Sequence, residues 1–209
     1  ELRNEDLRVA SHILPNKTLV ESIKNLSENS ILTFEGEEIV SNKVSTNSTK
    51  IAYQGEITFV KFPWHFFLEN DAEIRKDYEL LTAGRTSAHV SSDNKVIGES
   101  IFIEPGAKVH CSIINTDSGP VYIGKNAEVM EGAMIRGPFA LCDNAQVKMG
   151  AKIYGATTIG MGCKVGGEIT NSVFFANSNK AHDGYIGNSV IGEWCNLGAD
   201  TNSSNLKNN

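Results

Sequence analysis

The chain has 209 residues, 40% of them hydrophobic and 21% charged, with a formal net charge of −6 at neutral pH. That is enough apolar material for a buried core in one or two domains, and the acidic balance, with no run of Lys and Arg, argues against a nucleic-acid partner. Apolar clusters such as Phe66-Phe67-Leu68 are far too short to span a bilayer, and no charged-then-apolar leader opens the sequence, so the expectation is a cytoplasmic protein with no membrane partner.

The first residue is Glu rather than Met, which predicts a piece of a longer protein. VASHIL, residues 9–14, reads as a strand, and NKTLVESIKNL, residues 16–26, as a short helix with Leu19, Ile23 and Leu26 on one face. SILTFEGEEIV, residues 30–40, reads as two short strands around Glu35-Gly36. The polar stretch 41–50 reads as a loop or hairpin tip, and residues 51–63 as extended chain. From Trp64 to Leu81 the spacing turns helical, with Phe67, Ile74, Tyr78 and Leu81 on one face, Gly84 past the end, and Asn70-Asp71 as a candidate internal cap and break.

Beyond the Ser-rich stretch 86–94 the pattern changes. Starting at Ile97, Ile103 and Val109, an aliphatic residue returns every six positions, and from Ile123 the row runs without a miss through Val129, Ile135, Leu141, Val147, Ile153, Ile159 and Val165. A second row of mostly small or β-branched residues lies two positions earlier: Val121, Ala127, Ala133, Phe139, Ala145, Ala151, Thr157 and Cys163. Neither a helix nor a strand has this period, but a parallel β-helix of hexapeptide repeats does: three short strands and three corners make one coil of about eighteen residues. The interval from Val109 to Ile123 is longer than two repeats, which predicts a bulged corner at 115–120; that from Val165 to Val173 predicts a second bulge at 166–172. The phase then reads Val173, Asn179, Tyr185, Ile191 and Leu197, for roughly six coils in all. The sequence stops in mid-coil, so further coils are expected. Cys111, Cys142, Cys163 and Cys195 read as buried reduced thiols, with no metal-ligand spacing.

The stretch KAHDGYIGNSVIGEWCNLGADTNSSN, residues 180–205, carries a more specific signal. It resembles the acetyltransferase half of the bifunctional glucosamine-1-phosphate acetyltransferase and N-acetylglucosamine-1-phosphate uridylyltransferase family. His182, Tyr185, Asn196 and Asn205 stand at that family's spacing without a gap. The resemblance implies that His182 is the catalytic base on the sugar amine, that Tyr185 and Asn196 bind the sugar phosphate, and that Asn205 contacts the acetyl group. It also implies a left-handed solenoid, acetyl-CoA as donor substrate, a sugar phosphate as acceptor, and a homotrimer.

The whole chain is most similar to sugar nucleotidyltransferase-like proteins with a C-terminal left-handed β-helix. On that resemblance residues 1–62 are the end of a nucleotidyltransferase-like α/β domain, 63–93 a connector helix and linker, and 94–209 a left-handed β-helix truncated at its C-terminal end. The fold class is mostly β, with a small α/β remnant in front. No Gly-rich nucleotide loop with downstream Arg and Lys occurs, so nucleotidyl transfer, with its Mg ion, is assigned to the missing part of that domain, and no cofactor or metal is expected in this stretch.

Two functions follow from different classes: an N-acyltransferase on an amino sugar, or an oligomerisation and regulatory scaffold for the nucleotidyltransferase. The second gains from one departure: Thr170 and Lys152 stand where the family has a Lys and an Arg for the phosphate. Trp194 is expected to face outward at a subunit contact. His110 is expected in solvent, and His89, His110 and His182 lack the spacing of a shared zinc site.

Overall fold

Residues 7–203 are described in a computed structural model. The chain divides into two units, Glu1–His65 and Phe66–Asn209. The first holds β1 (Leu7–Val9), β2 (Ile13–Leu14), α1 (Lys17–Lys24), β3 (Ser30–Phe34), β4 (Glu37–Asn42), β5 (Thr49–Ala52) and β6 (Thr58–Phe59). Asn16 starts α1 because its side chain accepts the Leu19 N–H at 2.8 Å, satisfying a donor that the first helical turn leaves open. Leu19 and Leu26 then bury against Leu32, Ile39, Val40 and Tyr53. β3 and β4 form an antiparallel hairpin turned by Glu35 and Gly36 at φ 49° and 88°, the pair of left-handed residues that matches the twist of its strands. The sheet runs β1-β4-β3-β5, and β2 pairs with β6. VASHIL is therefore not one strand: the chain turns between β1 and β2, and each finds a different partner.

The second unit opens on α2 (His65–Thr82), which passes through Asn70-Asp71 without a break. The reason is tertiary. Asn70 is buried, its amide donates to the Ala156 carbonyl at 2.6 Å, and its side-chain oxygen accepts from the Thr158 hydroxyl at 2.8 Å. A residue with the look of a cap is an anchor between helix and sheet. Ile74 is buried beside it, whereas Leu81 is exposed, so the contact face is shifted from the predicted one.

The rest of the unit is the solenoid. Its first face stacks Lys95–Ile97, Ile113–Asn115, Met134–Arg136, Lys152–Ile153, Glu168–Thr170 and Tyr185–Gly187. The second stacks Ile101–Ile103, Val121–Ile123, Phe139–Leu141, Thr157–Ile159, Val173–Phe174 and Val190–Ile191. The third stacks Lys108–Val109, Glu128–Val129, Gln146–Val147, Lys164–Val165 and Asn179–Lys180. All pairings within the faces are parallel, and three such ladders are the architecture of a left-handed β-helix. The aliphatic row from Ile123 to Val165 and the smaller row from Val121 to Cys163 are both buried throughout, so both rows point into one prism.

The phase differs from the sequence reading at both ends. At the start, Val96 rather than Ile97 pairs with the buried Ile114, and Ile97 faces out. The enlarged corner falls between Asn115 and Val121, as expected. The second irregularity is a contraction, not a bulge. Ile153 pairs with Ile169, Ile159 with Phe174 and Val165 with Lys180, so an additional strand, Glu168–Thr170, fits where a loop was expected. The inward residues there are Ile169, Phe174, Lys180 and Ile186, one position away from Val173, Asn179 and Tyr185 at the last three. Glycines make the short corner possible: a Cβ on Gly166 would lie 2.4 Å from the Ala181 carbonyl oxygen, and one on Gly167 2.5 Å from that of Gly184.

All four cysteines are free; Cys163 is buried, but Cys111 and Cys195 are exposed, contrary to the reading of all four as core thiols. Cys111 stands at a turn with φ 47°, and Cys195 lies on the last described rung, stacked on Ser178. Among the described residues no helix is long and apolar enough to cross a membrane.

Candidate functional site

Of the motif residues, His182 stands on the corner that links the third face to the first. After Asn179–Lys180 the chain turns through residues 181–184 before Tyr185–Gly187 begins. His182 and Asp183 are exposed on this turn. With Met130, Lys148, Met149, Gly167, Ala199 and Asp200 they line an open depression of about 570 Å³. Coil stacking assembles it: Val129, Val147, Val165 and Lys180 are successive rungs, so residues far apart in sequence share one corner column.

Lys180 holds this turn from inside. It sits in the inward row, in register with Val165, and is fully buried. Its ammonium donates to the His182 carbonyl oxygen at 2.5 Å and to that of Asp183 at 2.9 Å. Burial pushes its pKa down, opposed by the carboxylates of Asp183 and Asp200. The six-residue phase hid it, since that phase put Asn179 inside.

Lys148 is the second residue that the sequence reading missed. It supplies a cation in the depression, and its Nζ donates to Gln146 Oε1 at 2.9 Å. Only the register reveals it, because it lies two coils before the His182 turn. Lys152 lies elsewhere, in a groove on the first face with Ile97, Ile113, Met134, Arg136 and Tyr154.

The other motif residues flank the depression without lining it. Tyr185 opens the next first-face strand, half-buried, and its N–H donates to Asn202 Oδ1 at 2.7 Å. Asn196 is exposed on the third-face side, where its Oδ1 accepts the Asn179 side-chain amide at 3.0 Å and the two residues form a bridge. Asn205 lies outside the described residues.

Trp194 is 77% exposed and adopts φ 58°. Earlier coils fill that corner position with Gly106, Asn126, Asn144, Gly162 and Asn177, residues that tolerate a left-handed backbone. A separate cluster joins Asp93 to its neighbours: the Cys111 N–H donates to Asp93 at 3.0 Å and His110 Nδ1 lies 3.3 Å away. A Ser91 hydrogen bond, then those of Cys111 and His110, hold the Asp93 carboxyl down to about 2. Among the described residues no three His, Cys, Asp or Glu side chains are placed to share a metal ion.

The chemistry on offer in the depression is thus one imidazole, one ammonium and two carboxylates on a wet surface. An imidazole can exchange a proton near neutral pH, and mixed charge suits a ligand that carries both signs.

Comparison with known proteins adds a relationship. A family model described as sugar nucleotidyl transferase matches residues 1–86. The "Bifunctional protein GlmU" of Clostridium kluyveri is 28% identical over 169 residues, covering 80% of this chain and 32% of that protein. The protein of the same name from Synechococcus elongatus is 25% identical over 118 residues, covering 52% of this chain and 26% of its own length. That of Wolbachia pipientis wMel is 28% identical over 144 residues, with 65% and 30% covered. The chain spans about a third or less of the length of these relatives.

Proposed function

We propose, from the likeness of this chain to GlmU proteins and to the sugar nucleotidyl transferase family model, that its solenoid is an acetyl-CoA-dependent N-acyltransferase for an amino sugar or its phosphate, attached to a sugar-1-phosphate nucleotidyltransferase domain. The observation that carries this reading is the exposed His182 in a depression that also holds Lys148, Asp183 and Asp200. Asp183 and Asp200 attract the ammonium of an amino sugar, while Lys148 offers a charge to its phosphate. His182 takes a proton from the amine as nitrogen attacks the thioester carbonyl; the C–S bond breaks, the acetyl group stays on nitrogen, and the coenzyme A thiolate is protonated as it leaves. Tyr185 and Asn196 reach the sugar phosphate from the two flanking faces, and Asn205 the acetyl group. Mg chemistry belongs to the nucleotidyltransferase part. The solenoids pack side by side as a homotrimer in the cytoplasm, with Trp194 at the contact.

One observation favours the scaffold reading: the Asn196 side chain is engaged by Asn179, and neither Tyr185 nor Asn196 lines the depression. The two readings separate in one assay. Full-length protein is incubated with acetyl-CoA and a panel of amino sugars and their 1-phosphates, and free thiol is followed. Sugar-dependent thiol release supports the acyltransferase; trimers in sedimentation without any release support the scaffold.

A further inference from the structure

Every other deeply buried residue in the inward row near this corner is apolar, including Val165, Ile169, Phe174 and Ile186, yet Lys180 is as buried as any of them. Enclosing an ammonium costs desolvation that a Val, Ile or Leu there would avoid. What the charge adds is its two bonds, and both go to backbone carbonyls of residues that line the depression, His182 and Asp183. Its neighbours reinforce the geometry. Asp183 and Asp200 lie close enough to act on the ammonium, and the Asp200 N–H donates to the Asp183 carbonyl at 2.9 Å, so three residues of two coils converge on one short turn.

We propose that Lys180 is the positioning residue of this site: its buried ammonium ties the carbonyls of His182 and Asp183 to the prism and thereby fixes where the imidazole and the carboxylate stand. The inference rests on the acyltransferase reading for its effect on turnover, but not for its effect on the turn. Lys180 has no exposed surface and touches no substrate. It acts through the backbone of 181–184, and a misplaced reacting group slows chemistry more than binding.

The test compares full-length wild type with Lys180→Met, which keeps an unbranched apolar stem, and with Ile186→Met as a control for apolar repacking at the same end of the prism. Amide hydrogen exchange at 181–184 and the kcat and KM of acyl transfer are both measured. In Lys180→Met, exchange at 181–184 rises by about tenfold while the adjoining strands are unchanged. The kcat falls by about tenfold with KM within about twofold. Ile186→Met changes neither. Unchanged exchange at 181–184 overturns the inference, and so does faster exchange with unaltered kcat. If wild type transfers no acetyl group, the acyltransferase reading falls by itself, and the exchange rates alone decide whether Lys180 holds the turn. Should Lys180→Met not fold, Lys180→Gln replaces it, since a shorter neutral amide cannot reach both carbonyls, and the same outcomes apply.

Discussion

Leu141→Ala measures how rigid the prism is. Leu141 is fully buried and stands between Ile123 and Ile159 on adjacent rungs of the second face. Removing three carbons forfeits about 2.4 kcal/mol of transfer free energy, at about 0.8 kcal/mol each. A cavity term is added when the surroundings cannot close in. Here the neighbours are held by parallel ladders on every face, so little collapse is available, and the total is about 4 kcal/mol, near the upper end for such substitutions. Urea unfolding followed by circular dichroism reads this as a fall in midpoint at constant slope. Met149→Ala, on an exposed side chain, is the reference and shifts stability by less than about 0.5 kcal/mol. A loss below about 1 kcal/mol for Leu141→Ala refutes the rigid dry prism. Leu141→Asp unfolds the solenoid outright, since a charge would enter it without a partner.

Three further outcomes are expected. Asn70→Ala leaves the Ala156 carbonyl and Thr158 hydroxyl without their partner and costs about 2 kcal/mol, seen as faster amide exchange along α2; unchanged exchange contradicts the anchor. Trp194→Asn relieves a left-handed backbone and raises thermal stability by about 1 kcal/mol, and on the proposed assembly it weakens self-association in sedimentation; unaltered self-association removes Trp194 from the proposed contact. Glu104 is held below the ordinary carboxylate range, first by the Arg85 guanidinium at 2.7 Å and then by the Tyr122 hydroxyl. Because its folded pKa is depressed, its stabilisation is present above the unfolded value of about 4.3 and is lost as pH falls through the folded value. Glu104→Gln flattens the urea midpoint in that acid window, and an unaltered pH profile contradicts the assignment.

The solenoid was legible because its signal is repetitive: each coil restates which residue faces inward, and the rows through Leu141 and Phe139 agree over many turns. The phase was lost where Gly166-Gly167 shortens a corner. Val173 and Phe174 are both apolar, so either could continue the row, and only the pairing of Ile159 with Phe174 decides. The slip then hid Lys180, a charged residue in a position where the pattern admits only apolar ones. Asn70 misled for a related reason, since a polar residue within a helical stretch looks the same whether it caps the helix or bonds to a distant sheet. Of the candidate site, the motif gave His182 and its flanking Tyr185 and Asn196. Lys148 and Asp200 needed the register, because corner neighbours in a solenoid are separated by whole coils.

The reading of His182 as a base is tested most directly by the His182→Ala variant of the full-length protein, assayed for thiol release from acetyl-CoA with the amino sugar that wild type prefers. The expected result is a fall in kcat of about a hundredfold or more with the circular dichroism spectrum and melting temperature unchanged. Turnover equal to wild type, or no amino-sugar-dependent consumption of acetyl-CoA by wild type itself, contradicts it.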